Sequence, residues 1–438
     1  MVWHILRVWI SFFIPTFYKR IQVKNLDRIK VPGPVILALN HPNAFADPIL
    51  ITHYYFPKRL HYLARGDAFK PGFIAWALVR IGIVPIFRIQ DGGKEGLKKN
   101  DEAYRKVNQL LKKNAKIIVF AEGLCIQERR LRPLKKGVAR MIFGAYEALS
   151  NDKLIVIPIG INYSRADKFR SDAFYNVGEA IYVKDYIEAF KQNPAKTNNA
   201  ILQILDRKMK ELISHIDNKE DDQLVEDIET LCKKDWMSAQ KLDPNDLSQD
   251  LVVLKQIVSK VNAARETRPE ELDALKLKTS AYFEKLKKNK LRDWLINPKQ
   301  NKLVSWPMVL LRYVHLVVLS PVYVIALMGN FLPLILTHRL TLKMIKFKEF
   351  YASFALGIGM VVFLANYVIW FICIYYFSDT ILNPLLCCVS FMLSAAFALY
   401  YHPFYKKTLG MTRILKHKEL AGALLQERNS LISFINKF

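Results

Sequence analysis

Apolar residues recur in short blocks through the first half of the chain. Five of these blocks are brief, rich in β-branched residues and continuous enough to form buried strands. Helical spacing separates them, and one helix is expected to begin at Asn100, because acidic residues favour the first turn of a helix. The alternation predicts an α/β domain over residues 25–185. The predicted strands are residues 34–39, 60–64, 83–87, 116–121 and 154–160.

The first 24 residues place apolar side chains near one helical face, with positive side chains around it. Their continuous apolar part covers about residues 8–17, short of the roughly 20 residues that a membrane-spanning helix needs. We therefore expect an interfacial helix over residues 1–24. A signal peptide is the weaker alternative, because no small-residue cleavage site follows and the chain passes directly into a strand-like segment.

Polar helices are predicted over residues 186–302. Apolar residues recur there at helical spacing, for example at Ile201, Leu205 and Met209. Pro244 and Pro269 mark boundaries between helices. We interpret this region as a helical connector or cap.

Two runs near the C-terminus, residues 353–377 and 380–401, have no charged side chain and are long enough to cross a bilayer. Only a few residues separate them, so a transmembrane hairpin is predicted over residues 350–404. Lysines and arginines flank both outer ends, which places those ends and the helical tail of residues 405–438 in the cytoplasm. The expectation is an integral membrane protein with its α/β domain on the cytoplasmic face.

The apolar stretch before the hairpin, within residues 303–342, is interrupted by Arg312, Pro321 and Pro333. If the α/β domain and the first end of the hairpin are both cytoplasmic, this stretch must enter and leave on the same side of the bilayer. It is too short for two spans. We predict a kinked re-entrant or in-plane segment. The alternative is a third membrane span. It would place either the α/β domain or the ends of the hairpin against the rule that lysines and arginines flank membrane spans on the cytoplasmic side.

The net charge of the chain, +26, creates a positive potential over its soluble part. Anionic lipid surfaces and phosphate-bearing substrates are therefore expected partners. Nucleic acid is not expected as a partner, because no nucleic-acid recognition motif accompanies the positive charge. An apolar C-terminal third is also not a feature that nucleic-acid binding requires.

The five cysteines include no CxxC pair, so the sequence predicts neither a disulfide framework nor a metal site. Cys125 could be considered as a thiol nucleophile, but no second histidine lies near it in sequence.

Candidate chemistry is concentrated in the segment NHPNAFADP, residues 40–48. His41 follows a predicted buried strand, and Asp47 lies six residues later at the start of an apolar helix. A neutral imidazole that takes a proton from an alcohol needs its other nitrogen held by an acceptor, and a carboxylate can supply one. A histidine and an aspartate at this spacing also occur by chance, so the pair alone is weak evidence.

Four motifs in order strengthen the interpretation. The chain resembles the PlsC-like (lysophosphatidic acid acyltransferase-like) superfamily of glycerolipid acyltransferases across about residues 26–183. NHPNAFADP matches the first motif of that family and RIGIVPIFR, which ends at Arg88, resembles the second. The third corresponds to FAEGLCIQERRLRPLKKGVARM from Phe120, and the fourth to VIPIGINY from Val156.

The resemblance implies transfer of a fatty acyl group from acyl-CoA or an acyl carrier protein thioester, a co-substrate, with no further cofactor. His41 would be the general base and Asp47 its partner. Backbone N–H groups after Asn43 or in the Glu122–Gly123 loop could stabilise the oxyanion. The substrate-binding residues expected from the motifs are Asn40, Arg88, Glu122, Gly123, Lys135 and Lys136.

The sequence departs from the commonest family pattern in two places. Five residues separate His41 from Asp47 instead of four, which resembles the subgroup that acts on glycerol 3-phosphate or dihydroxyacetone phosphate. Ala121 and Leu124 replace the usual proline and hydroxyl residue of the third motif. The alternatives are an acyltransferase for 1-acylglycerol 3-phosphate or another lysophospholipid, and a noncatalytic membrane protein that binds lipid.

Overall fold

The computed structural model describes residues 11, 13–55, 59–66, 72, 76, 79–80, 82–86, 89–149, 152–297, 304–378 and 380–437, with the backbone alone for 89–99. The chain divides into two compact units. Unit one comprises the described residues of Met1–His215 with Asp246–Leu251 and Phe347–Ser353. Unit two comprises Ile216–Asn245, Val252–Lys346 and Phe354–Phe438.

Unit one is built on a sheet of eight strands in the described residues, in the order β1-β7-β6-β2-β5-β3-β4, with β8 paired to β6. Neighbouring strands are parallel, except that β6 runs antiparallel to β7 and β8. The strands are β1 (Arg20–Lys24), β2 (Val35–Leu39), β3 (Leu60–Arg65), β4 (Ile83–Ile86), β5 (Lys116–Phe120), β6 (Ile155–Tyr163), β7 (Asp172–Val177) and β8 (Ile181–Tyr182).

Helices connect the parallel strands of unit one, as the α/β pattern predicts. All five residues of β2 are buried, which explains its continuous apolar sequence. Short 3-10 helices span Leu26–Lys30 and Val183–Tyr186. The α-helices are α1 (Ala46–Tyr55), α2 (Ile89–Lys112), α3 (Lys136–Leu149), α4 (Ile187–Gln192) and α5 (Pro194–Lys210).

The start of α2 differs from the sequence-based expectation. The helix begins at Ile89 and not at Asn100, and so includes Gly92, Gly93 and Gly96. Glycine costs a helix only about 1 kcal/mol relative to alanine, so these residues weaken the helix without ending it.

The helix predicted over residues 1–24 ends earlier than expected. Ser11 and residues 13–17 are helical, and the chain then enters β1 at Arg20, in parallel pairing with β7. Residues 1–10 and 12 lie outside the described residues. An interfacial location for this segment stays a prediction.

Unit one extends beyond the predicted boundary at residue 185. Ile201, Leu205 and Met209 of α5 are buried in the same hydrophobic core as Ile142 of α3. The first part of the predicted connector therefore covers the sheet of unit one.

Helices joined by turns and short irregular segments form the described part of unit two. Its core contains a buried ion pair, in which Arg428 Nε donates to Asp293 Oδ1 at 2.9 Å, and Arg428 also donates to the carbonyl of Leu231. The helices are α6 (Asp222–Ala239), α7 (Leu247–Thr267), α8 (Pro269–Lys288), α9 (Asp293–Ile296), α10 (Trp306–Met344), α11 (Lys348–Tyr376), α12 (Leu382–Lys416) and α13 (Lys418–Ile435). The first turns of α7 and α11 belong to unit one.

Within the described residues, α10, α11 and α12 are long and apolar enough to cross a membrane, and they support membrane association. Over residues 304–342, the described part of that stretch, the backbone has no break of the kind expected for a re-entrant segment. Pro321 and Pro333 lie inside α10, which continues for 39 residues. Its placement relative to the bilayer stays a prediction.

Polar side chains join these three helices. Asn330 of α10 donates to the carbonyl of Phe391 on α12 at 3.0 Å, and the hydroxyl of Tyr367 on α11 donates to Asn330 Oδ1 at 2.7 Å. Asn366 donates to the carbonyl of Gly329 at 2.9 Å. Such interhelical hydrogen bonds and small residues are typical of contacts between membrane helices.

Candidate active site

The candidate site lies where two parallel strands end beside each other. Leu39, the last residue of β2, pairs with Phe120, the last residue of β5. The segments that follow therefore start at one edge of the sheet, where α/β proteins place their functional groups. One segment carries His41 and the other Glu122.

His41 and Asp47 are in direct contact. His41 Nδ1 lies 2.9 Å from Asp47 Oδ2, and the ring of His41 stacks on Phe120 with centroids 3.6 Å apart. The Asp47 side chain is fully buried, whereas that of His41 keeps 16% of its exposure. With Nδ1 facing the carboxylate, Nε2 is the ring nitrogen that can take a proton from a substrate.

The Asp47 carboxylate receives two further hydrogen bonds. The backbone N–H of Asn43 donates to Oδ2 at 2.8 Å, and the hydroxyl of Tyr163 donates to Oδ1 at 2.8 Å. Burial raises the pKa of Asp47, while the hydrogen bonds from His41, Asn43 and Tyr163 act to lower it. These donors make an ionised carboxylate tolerable in a site that excludes water.

Buried tyrosines surround this carboxylate. Tyr175 donates to the backbone carbonyl of Asp47 at 3.1 Å, and its hydroxyl lies 3.2 Å from that of Tyr163. Burial and the nearby Asp47 carboxylate raise the pKa of Tyr18, Tyr163 and Tyr175 above the ordinary value for tyrosine. All three therefore stay neutral and can act as hydrogen-bond donors.

Glu122 connects the two segments. Its Oε1 accepts from the backbone N–H of His41 at 3.3 Å, and its Oε2 accepts from the backbone N–H of Arg132 at 3.0 Å. Burial raises the pKa of Glu122 to about 7, against the effect of these two hydrogen bonds. Glu122 thus holds the backbone of His41 in place, and its predicted contact with a glycerol hydroxyl stays a prediction.

Gly123 allows a tight turn after Glu122. Its φ of 64° lies in the left-handed region, and a Cβ built there would lie 2.9 Å from Lys135 Cγ. Lys135 and Lys136 are exposed at the start of α3, where the helix N-terminus favours an anion. The structure therefore brings Gly123 and Lys135 close together, and Lys136 follows as the first residue of α3.

The side chain of Asn40 is paired within the sheet. It is buried, donates to the carbonyl of Ile161 at 3.0 Å and accepts from the N–H of Ile161 at 2.7 Å. Asn40 therefore joins the end of β2 to β6 beside His41, and its predicted contact with a substrate stays a prediction. Arg88, the predicted phosphate ligand, lies outside the described residues.

Several backbone donors considered for an oxyanion are already paired. The N–H of Asn43 bonds Asp47, that of Ala44 bonds Cys125 Sγ at 3.0 Å, and that of Ala46 bonds Ser353 Oγ at 3.0 Å. Burial raises the pKa of the Cys125 thiol, which opposes its use as a nucleophile. Among the described residues, no group of three or more His, Cys, Asp or Glu side chains could hold a metal ion.

Sequence reasoning missed Tyr163 and Ser353 as parts of this site. Tyr163 is the last residue of the fourth motif, so its position in that motif is a sequence signal for a place in the site. Ser353 donates to Asn43 Oδ1 at 3.0 Å across 310 positions of sequence, and no local pattern indicates that contact.

Comparison with known proteins agrees with this geometry. Residues 20–162 match the protein-family model described as Acyltransferase. The match covers β1 to β5 with most of β6, and it includes His41, Asp47 and Glu122. This part of the chain is therefore similar to the Acyltransferase family, and it contains the first three motifs with most of the fourth.

Among curated relatives, glycerol-3-phosphate O-acyltransferase 2 of Saccharomyces cerevisiae is 36% identical over 104 residues, which is 24% of this chain and 14% of the yeast protein. The chloroplastic 1-acyl-sn-glycerol-3-phosphate acyltransferase LPAT1 of Arabidopsis thaliana is 26% identical over 156 residues, 35% of this chain and 39% of the plant protein. The chain therefore spans well under half the length of each. The crystal structure of PlsC, the 1-acyl-sn-glycerophosphate (LPA) acyltransferase of Thermotoga maritima, matches with a TM-score of 0.33 and 18% identity, covering 46% of this chain and 74% of that one.

Proposed function

We propose that the protein is a membrane-bound glycerolipid O-acyltransferase that transfers a fatty acyl group from a thioester donor to glycerol 3-phosphate or dihydroxyacetone phosphate. One observation carries the proposal. A partly exposed histidine, His41, is held through Nδ1 by the buried carboxylate of Asp47 at the edge of the sheet, within a domain that matches the Acyltransferase family model.

The reaction needs no covalent acyl-enzyme. The acceptor hydroxyl gives its proton to His41 Nε2 while its oxygen attacks the thioester carbonyl carbon and forms the new C–O bond. The C–S bond then breaks, and the proton on His41 passes to the departing thiolate. Asp47 fixes the tautomer of His41 and stabilises the imidazolium between these two steps. The ester and a free thiol are the products.

Acceptor binding is assigned to the positive residues of the second and third motifs. Lys135 and Lys136 offer ammonium groups to a phosphate at the start of α3, and Arg88 would add a guanidinium. Five residues between His41 and Asp47, together with the yeast glycerol-3-phosphate relative, favour a small phosphorylated acceptor. A lipid bilayer is the expected location of the product, with the domain on its cytoplasmic face.

A screen of acceptors tests the reaction class and the site together. Purified full-length protein in detergent is offered radiolabelled acyl-CoA, and separately acyl carrier protein thioester, with glycerol 3-phosphate, dihydroxyacetone phosphate or lysophosphatidate. We expect fastest transfer to glycerol 3-phosphate or dihydroxyacetone phosphate, and a loss of about a hundredfold or more in His41→Ala, the usual size of a lost general base. His402→Ala, in unit two, is the matched control and should keep wild-type activity.

The second candidate function is acylation of a lysophospholipid, which the match to the Arabidopsis enzyme favours. Rapid transfer to lysophosphatidate with none to glycerol 3-phosphate would replace the first proposal with this one. A noncatalytic lipid-binding protein is the third candidate. It predicts no transfer to any acceptor by the wild type, together with lipid binding that is equal in wild type and His41→Ala.

A further inference from the structure

The beginning of α11 is packed against the loop between His41 and Asp47. Residues Phe347–Ser353 belong to unit one, although most of α11 belongs to unit two. The ring of Phe350 lies 6.5 Å from that of Phe45, and the side chain of Ser353 is buried. A segment far outside the matched domain of residues 20–162 thus contributes contacts to the candidate site.

Ser353 makes two hydrogen bonds of opposite direction to this loop. Its hydroxyl donates to Asn43 Oδ1 at 3.0 Å, and its oxygen accepts from the backbone N–H of Ala46 at 3.0 Å. A hydroxyl is the smallest side-chain group that can donate and accept at once. One buried atom therefore fixes both halves of the loop.

Both bonded residues act directly on Asp47. The N–H of Asn43 donates to Asp47 Oδ2, the same oxygen that faces His41 Nδ1. Ala46 is the first residue of α1 and directly precedes Asp47, so a movement of Ala46 would also move the Asp47 carboxylate. The side chain of Asn43 also donates to the carbonyl of Ala166 at 2.9 Å, which leaves Ser353 to hold its oxygen.

We propose that Ser353 is a positioning residue for the His41–Asp47 pair, and that the start of α11 is therefore part of the active site. The proposal rests on the proposed function. Replacing Ser353 by alanine would take away one buried acceptor and one buried donor from the loop. The loop would then relax, and displacement of a catalytic group by about 1 Å can cost a hundredfold in rate.

The test compares Ser353→Ala with Ser353→Thr, which keeps the hydroxyl, in the full-length protein. Ser394→Ala is the matched control, because Ser394 is also a buried serine of an apolar helix but, among the described residues, bonds only the carbonyl of Phe391 in its own helix. For Ser353→Ala we expect kcat at least tenfold lower, KM for both substrates within about twofold of wild type, and a displaced acid limb of the pH profile. Ser353→Thr should recover most of the rate, and Ser394→Ala should match wild type.

Hydrogen exchange gives a readout that does not depend on activity. In Ser353→Ala the amide of Ala46 should exchange at least about fivefold faster than in wild type, because it has lost its acceptor. Wild-type kcat and exchange in Ser353→Ala would overturn the proposal, as would an equal loss in Ser394→Ala or no recovery in Ser353→Thr. If wild type transfers no acyl group, the proposed function fails, and the exchange measurement alone decides whether Ser353 holds the loop.

Discussion

The hydroxyl of Tyr163 donates a 2.8 Å hydrogen bond to Asp47 Oδ1, the oxygen opposite the one that faces His41. This bond favours the ionised carboxylate, which burial disfavours. Tyr163→Phe should therefore raise the pKa of Asp47 further and move the acid limb of the activity profile to higher pH. A hydrogen bond to a charged group contributes about 1.5–3 kcal/mol, so kcat/KM at pH 7 should fall by about tenfold or more.

Tyr175→Phe is the control for this prediction. Its hydroxyl donates to the backbone carbonyl of Asp47 and not to the carboxylate. The loss in kcat/KM should stay below about threefold, with the acid limb unmoved. Profiles measured from pH 5 to 9 that are the same for both variants would contradict the role given to Tyr163.

Glu122 should make stability depend on pH. Burial raises its pKa from 4.5 to about 7, so the folded protein binds this proton more tightly than the unfolded chain does. The stabilising contribution is complete below about pH 4.5 and is lost as the pH rises to about 7. At about 1.4 kcal/mol per pH unit, the loss is at most about 3 kcal/mol.

Glu122→Gln cannot titrate, so it isolates this contribution. Thermal midpoints of the wild type and the variant are measured in detergent from pH 4.5 to 8. As the pH rises, the midpoint of the wild type should fall relative to that of the variant, and the difference should become constant above about pH 7. A constant difference over that range would refute the pKa assigned to Glu122.

Gly123→Ala should destabilise unit one. The left-handed backbone costs an L-residue about 1–2 kcal/mol, and the new Cβ would lie 2.9 Å from Lys135 Cγ. The displaced lysine should also raise KM for a phosphorylated acceptor. Gly144→Ala in α3 is the matched control, since no described atom lies within 4 Å of its added Cβ and alanine favours a helix by about 0.5–1 kcal/mol. Urea unfolding measures the stability of both variants, and equal unfolding midpoints for the two would contradict the prediction.

Gly329→Ala should loosen the contact between α10 and α12. Its Cβ would clash with Phe391 Cγ, so that the ring or the backbone would have to move. Overpacking of this kind costs about 1–3 kcal/mol. Gly357→Ala in α11 meets no described atom within 4 Å and should leave the thermal midpoint of the protein in detergent nearly unchanged. Similar midpoints for the two variants would show that this close approach does not matter for stability.

The sheet could be predicted from sequence where its strands have continuous apolar runs. Each of the five predicted strands is found, as β2 to β6. All five residues of β2 are buried, as expected for a parallel strand inside a sheet, whereas β4 at the end of the sheet has one buried residue, Val84. Of the three other described strands, β1 was indicated only as a strand-like segment after the first helix, and β7 and β8 were not predicted. Asp172–Val177 mixes polar and apolar residues, and Ile181–Tyr182 is too short to show any period.

The site could be predicted only as far as it is local. His41 and Asp47 lie six positions apart, so a motif can contain both. Tyr163 reaches Asp47 across 116 positions, because β6 lies beside β2 in the sheet. That adjacency is a property of strand order, which the apolar pattern along one strand does not encode. The pairing of Asn40 with Ile161 across 121 positions depends on the same strand order and could not be predicted from the motif.

The contact between Ser353 and Asn43 also has a consequence for synthesis of the chain. The ribosome makes Asn43 310 positions before Ser353, a delay of roughly 15 to 60 s at about 5–20 residues per second. The strands of unit one, which end at Tyr182, are all complete well within that interval. A nascent chain at that stage therefore already contains every described strand of unit one, while its loop between His41 and Asp47 still lacks the contact with Ser353.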